Sequence, residues 1–275
     1  VGNVITVTSG KGGVGKSLSS IHLALNARAS GARTLLIDAD FGLSNIDVLL
    51  GMEPKFTLAD VLNGTCSIHD LLLKGPRGIE VITSGSGISK MANLGPLERA
   101  VVISELRKIQ DDYQYIIVDT GAGISPSTLA LNAVSDLLIV VTTPEPHALT
   151  DGYAMIKVMA EEYGIKTCGL LVNQVRSDEE GIRIAQRLAE VALQYTNVNV
   201  NHLGSIRIDS TLLKSVMARN VAWDGCFQTL ANQGWSFAWR KIKSKFQSEN
   251  IVGKNNKLSE VWSALAAKSM EESIL

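Results

Sequence analysis

The chain has 275 residues, 45% of them hydrophobic, and its 26 basic residues nearly cancel its 27 acidic ones. That length suffices for one large α/β domain, and the charge balance argues against a protein held on nucleic acid by bulk electrostatics alone. Three scattered cysteines (Cys66, Cys168, Cys226) and four scattered histidines (His22, His69, His147, His202) form no C-x-x-C pair and no ligand cluster, so neither a disulfide framework nor a zinc or iron–sulfur site is expected.

In chain order, short β-branched runs at 4–8, 34–37, 79–83, 115–118, 137–142, 168–172 and 202–206 read as strands. Between them, residues 17–30, 97–111, 148–163 and 179–195 carry helical spacing. This alternation predicts an α/β fold, a mostly parallel sheet of seven or eight strands flanked by helices on both faces. Runs such as Leu137-Leu138-Ile139-Val140-Val141 are apolar on both sides, as a doubly covered sheet requires. Ligands of such sheets sit at the carboxyl ends of the strands. No run approaches the ~18 apolar residues that span a bilayer, and the chain opens on a strand at Val1 rather than on a signal peptide. The expectation is a protein neither exported nor membrane-spanning, whose N-terminal extension, if it has one, lies outside this sequence.

The first strand runs into Gly10-Lys11-Gly12-Gly13-Val14-Gly15-Lys16-Ser17 and then, through Leu18, into the first helix. This is the G-x-x-x-x-G-K-[ST] phosphate loop of P-loop NTPases in its proper strand-to-helix context. Its glycines let backbone N–H groups close around phosphate oxygens, and the helix N-terminus adds the positive end of its dipole. Lys16 is expected on the β- and γ-phosphates and the Ser17 hydroxyl on Mg²⁺. Two carboxylates, Asp38 and Asp40, follow the second strand, and Asp119 ends the apolar run Tyr115-Ile116-Ile117-Val118 before Gly121 and Gly123. Carboxylates beside a phosphate loop suit a divalent cation. The blander alternative for Asp40, or for Ser44, is a cap on the next helix.

The second loop lysine, Lys11, makes the run Lys-Gly-Gly-Val-Gly-Lys-Ser resemble the deviant Walker A motif of the MinD/ParA family. The resemblance implies an ATPase that binds ATP or ADP with Mg²⁺ and closes into a nucleotide-sandwich homodimer, Lys11 reaching the partner's phosphates as an arginine finger does. It implies that Asp40 holds the attacking water and takes part in metal binding, and that Asp38 supports the magnesium shell or the catalytic geometry. Asp119 would hold Mg²⁺ through a bound water. Asn173 matches an adenine-contacting position, while Arg207 and Asp209 fall in a second base-contacting segment that usually reads Ile-Pro-x-Asp, with Arg207 in place of the proline. Asp151 would pair with the signature lysine, and Glu145 would lie near the dimer interface.

Thr142-Thr143-Pro144-Glu145-Pro146-His147-Ala148 and Asp119-Thr120-Gly121-Ala122-Gly123 look most like the FlhG (FleN) branch, regulators of flagellar number and position. That likeness implies an FlhF-type signal-recognition-particle GTPase, a flagellar C-ring component or a transcription regulator as partners, at the cytoplasmic face of the membrane. The resemblance covers residues 1–222, taken as the ATPase domain, with 223–275 as a helical tail. A ParA-type DNA-partitioning ATPase and a nucleotide-sensing scaffold with little turnover are the other readings, although the charge balance makes DNA an unexpected partner.

In the tail, Trp235, Trp239, Ile242 and Phe246 share one helix face, with Arg240, Lys241, Lys243 and Lys245 mostly on the others. Such a stripe serves equally to enter an anionic membrane interface or to dock on the domain core. A second stripe, Leu258, Val261, Trp262 and Leu265, leads into Met270-Glu271-Glu272 and is the poorer lipid binder.

Overall fold

A computed structural model of the chain describes residues 2–40, 45–84 and 96–250. In chain order these form β1 (Asn3–Ser9), α1 (Lys16–Ala29), β2 (Thr34–Ala39), α2 (Ile46–Leu50), α3 (Leu58–Leu62), β3 (Leu73–Lys74), β4 (Glu80–Ile82), α4 (Pro96–Gln110), β5 (Tyr115–Ala122) and α5 (Pro126–Ala133). There follow β6 (Leu137–Thr142), α6 (Pro146–Tyr163), β7 (Thr167–Val175), α7 (Asp178–Thr196), β8 (Asn199–Arg207), α8 (Ser210–Met217) and α9 (Leu230–Asn250).

The sheet has eight strands in the order β3-β4-β2-β5-β1-β6-β7-β8. All seven expected strands are present and mutually parallel; the eighth, two-residue β3, lies antiparallel on the edge beside β4. β1 is buried along its whole length, which its position in the middle of a doubly covered sheet explains. Between β1 and its neighbours β5 and β6 the strand order reverses direction, so a crevice opens at their carboxyl ends. The register of β1 on β5 slips between Val7 and Ser9, where the strand leaves the sheet to become the phosphate loop.

One face of the sheet carries α1, α2 and α9, packed through Leu23, Leu25, Ile46, Trp239 and Ile242 onto Val7, Leu36, Ile117 and Ile139. On the other face Leu58, Ile68 and Ile109 pack against Leu35, Ile37 and Val118, and Met155, Met159, Ala185 and Leu188 against Val140, Leu170 and Val172. Helix ends follow local chemistry. Pro146 opens α6 and left-handed Gly164 closes it; the Ser177 side chain accepts from Glu180 N at the start of α7, whose first turn holds Asp178, Glu179 and Glu180.

The stripe Trp235, Trp239, Ile242 and Phe246 is buried, at 0%, 3%, 0% and 3% exposure. Trp235 stacks on His22 of α1, with ring centroids 4.1 Å apart, and donates Nε1–H to Ser19 Oγ at 3.1 Å; Trp239 meets the edge of Tyr115. Each such side chain gains about 1.5–3 kcal/mol from burial, which makes this face part of the domain core. This decides the alternative that the stripe left open: the 235–246 face docks on the core and is not offered to lipid, and residues 230–246, read from sequence as part of a tail from 223, pack on the same core as α1. The outward residues of α9 include Phe237, Arg240 and Lys241 beside Gln233, Ser244 and Gln247, with Lys243 and Lys245 half-buried at its flanks. The second stripe, Leu258 to Leu265, lies outside the described residues, as do Phe41, Gly42, Leu43 and Ser44.

Candidate nucleotide and metal site

The phosphate loop keeps its open form through backbone shape. Gly13 and Gly15 have φ of +80° and +88°, the left-handed region where a side chain is strained. Gly10 and Gly15 are further required by close approach. A Cβ on Gly10 would collide with the backbone of Asp151 in α6, and one on Gly15 with the Asn173 amide. The Ser9 hydroxyl donates to Lys11 O at 2.9 Å, and Asn173 Nδ2 donates to Val14 O at 2.8 Å. Asn173 therefore braces the loop. Gly12, Ser17 and Leu18 complete it, Ser17 and Leu18 half-buried in the first turn of α1.

At the centre, Lys16 Nζ lies 3.0 Å from Asp119 Oδ1, the two side chains only 8% and 1% exposed. Ser20 Oγ sits 2.9 Å from the same oxygen, while Asp119 Oδ2 is buried with no hydrogen-bond partner. An acceptor left open in this way, in a chain whose buried polar atoms are mostly paired, fits a site meant to receive a metal-bound water. Ser17, beside Lys16 on the first turn of α1, supplies the hydroxyl oxygen that a hard cation takes. The residues present thus fit Mg²⁺. Among the described residues no separate group of His, Cys, Asp and Glu side chains could hold a metal ion. Burial pushes the Cys168 thiol up to about 12, which leaves it an inert core side chain.

The parallel register aligns Asp38 of β2 with Asp119 of β5. Asp38 is fully buried; its Oδ1 accepts Asp40 N–H at 3.0 Å, and its Oδ2 accepts Asn45 and Ile46 N–H at 3.0 and 3.1 Å. Asp38 thus satisfies backbone donors at the start of the next helix. The Asp40 carboxylate stands beside Gly121, close enough that an added Cβ there would lie 3.8 Å from Oδ1; its carbonyl accepts from Ser84 Oγ at 3.1 Å. The turn after Asp119 is tied back by Gly123 N–H to Ser9 O at 2.8 Å, which keeps it beside the start of the phosphate loop.

Lys11 stands at the mouth. Its Nζ pairs with Glu145 Oε2 at 3.0 Å, both side chains well exposed at 41% and 63%. The expected partner was Asp151; Glu145, at the N-cap of α6, takes that contact, while Asp151 packs its backbone against Gly10. Asp209 caps α8, accepting from Thr211 and Leu212 N–H at 2.8 and 3.2 Å, and its other oxygen accepts from Ala231 N at 3.3 Å. Burial raises its pKa, but these backbone donors outweigh it and leave the carboxyl below its ordinary value. Arg207 bonds Gln233 Oε1 at 3.1 Å and faces Asp178 at 3.8 Å. The expected base-contacting pair is therefore engaged in tying β8, α8 and α9 together.

Sequence reasoning missed Ser19 and Ser20. The signal was present: Ser20 follows Lys16 by four residues and Ser19 follows Gly15 by four, so each lies one turn above the loop on its own face of α1.

Comparison with known proteins agrees with this geometry. A family model described as ParA, NUBPL iron-transfer P-loop NTPase, matches residues 1–224. The antiactivator FleN of Pseudomonas aeruginosa is 36% identical over 241 residues, 88% of this chain and 86% of that protein. The flagellum site-determining protein YlxH of Helicobacter pylori is 33% identical over 218 residues, 79% and 74% of the two chains. Among solved structures, the cell division ATPase MinD of Pyrococcus furiosus superposes with a TM-score of 0.74 at 21% identity, over 89% of this chain and 99% of that one. MinD of Pyrococcus horikoshii, solved with Mg-ADP, gives 0.72 at 20% identity, over 88% and 96%.

Proposed function

This chain belongs to the ParA/MinD family of P-loop ATPases, and on that premise we propose that it is an ATP-dependent dimerising switch of the FlhG-like branch, governing flagellar number or placement. The observation that carries the reading is the contrast between two lysines of one loop. Lys16 is buried on Asp119, whereas Lys11 waits at the surface on an exposed carboxylate.

Each group then has a task. The loop N–H groups and Lys16 bind the β- and γ-phosphates of ATP; Ser17 and Asp119 would hold Mg²⁺, which when bound would neutralise charge on the phosphates. Asp40, beside Gly121, orients the attacking water and accepts its proton, and would help to hold the metal. Asp38 keeps Asp40 in place through the backbone it binds, a positioning task rather than a direct one. Asn173 braces the loop and offers its amide to adenine, while Arg207 and Asp209 tie β8, α8 and α9 together. An exposed ion pair contributes only about 0–1 kcal/mol, so Lys11 can leave Glu145 for the phosphates of a second subunit at little cost.

The relatives called FleN and YlxH support a flagellar role, and an FlhF-type GTPase, a C-ring component or a transcription regulator are its proposed partners. The outward Arg240 and Lys241 of α9 support a peripheral contact with anionic membrane. ATP hydrolysis measured against protein concentration tests the switch: specific activity should rise with concentration and stay flat and low in Lys11→Ala. A concentration-independent rate in the unaltered protein would refute it. Sedimentation with anionic liposomes should weaken in Arg240→Glu with Lys241→Glu; unchanged sedimentation would remove α9 from the membrane contact.

A further inference from the structure

We propose that Ser20 is a positioning residue for the metal-holding carboxylate, fixing Asp119 on α1 so that its second oxygen stays presented when Lys16 moves to the nucleotide. The inference rests on the reading of Asp119 as the carboxylate that holds Mg²⁺.

Asp119 Oδ1 has two donors, Lys16 Nζ at 3.0 Å and Ser20 Oγ at 2.9 Å, and Oδ2 has none. These donors are not equivalent. Lys16 sits on a long flexible stem and is the group a phosphate recruits. When it turns to phosphate, Asp119 loses that partner. Ser20 has no such freedom: it is fully buried, one turn along α1, and its short side chain is held against its own helix, with Oγ 3.1 Å from Lys16 O. A hydroxyl carries one proton, and between a carbonyl and a carboxylate the charged acceptor makes the stronger bond. Ser20 therefore directs its proton to Asp119 and keeps one oxygen engaged after the lysine departs. Without it, a buried carboxylate would be free to rotate, and the order of its two oxygens toward the metal would be lost. Partners behind a metal-holding group typically contribute about 10- to 100-fold in metal affinity.

The test is binding of fluorescent ADP to the full chain, once in EDTA and once across a Mg²⁺ titration, for the unaltered protein, Ser20→Ala and Asp119→Asn. Ser20→Ala is expected to raise the Mg²⁺ midpoint about 10- to 100-fold while affinity in EDTA changes little. An unchanged midpoint, or a parallel loss in EDTA and in Mg²⁺, would overturn the proposal, since the serine would then serve only packing of the loop. Ser20→Cys, similar in shape with a weaker donor, should shift the midpoint in the same direction and replaces the alanine variant if that one does not fold. Asp119→Asn separates the two readings: a midpoint unmoved there would mean that Asp119 does not hold the metal, whatever Ser20 does.

Discussion

Two lysine–carboxylate pairs of equal length, 3.0 Å each, anchor the two ends of one loop, and they differ in almost everything except distance. Lys16–Asp119 is closed off from water at the sheet's centre. Lys11–Glu145 is open to it. In the interior both charges have lost their hydration, so removing one leaves the other uncompensated; at the surface, water replaces whichever partner leaves. The same chemistry thus makes a pair that parts only when a phosphate replaces the carboxylate on Lys16, and one that parts at little cost. The inner contact is exchanged inside the site, the outer one at the surface.

The largest expected effect breaks the inner pair. Lys16→Ala should abolish nucleotide binding and cost about 3–5 kcal/mol in the nucleotide-free protein, measured by urea unfolding. Replacing both partners, Lys16→Met with Asp119→Leu, should recover most of that stability without recovering binding. A single variant as stable as the unaltered chain would show that the pair is not buried as described.

Next comes a buried group that carries no charge at all. Burial against Trp235 lowers His22 to about 4 from 6.5, with the Asn232 side chain opposing in part. The folded state therefore refuses a proton that the unfolded chain accepts. Stability is full above about pH 6.5 and declines as pH falls toward about 4, by roughly 3 kcal/mol over that window. His22→Phe should flatten this acid-side slope in unfolding curves taken from pH 7 to 4; an unaltered slope would assign it to other groups.

The smallest effect belongs to the outer pair. Glu145→Gln should change stability by less than about 1 kcal/mol and leave ADP affinity within a few-fold. A loss as large as that at Lys16 would erase the distinction between the two ends of the loop.

The sheet and the loop were legible because they rest on local rules. Continuous apolar runs marked strands buried on both faces, and Gly10 to Ser17 carried both its glycines and its place between strand and helix. The two-residue strand Leu73–Lys74 has no period to read. Asp38 and Asp40 were found as a pair, but which of them ties down the following backbone depends on how the chain turns after β2. The Lys11–Glu145 contact joins residues 134 apart in sequence, so no spacing announces it. The stripe of Trp235, Trp239, Ile242 and Phe246 reads alike for lipid and for core; what decides is tertiary, namely His22 under Trp235 and Tyr115 against Trp239. Arg207 and Asp209 were placed by resemblance alone, and the fold gives them cap and strut contacts that the motif could not reveal.

The central claim is that the exposed lysine is traded from Glu145 to a second subunit when the γ-phosphate is present. Light scattering of the unaltered chain and of Lys11→Ala, each with Mg-ADP and with a slowly hydrolysed Mg-ATP analogue, tests it directly. The account predicts twice the monomer mass for the unaltered chain with the analogue only, and monomer mass for Lys11→Ala throughout; a Lys11→Ala dimer with the analogue would contradict it.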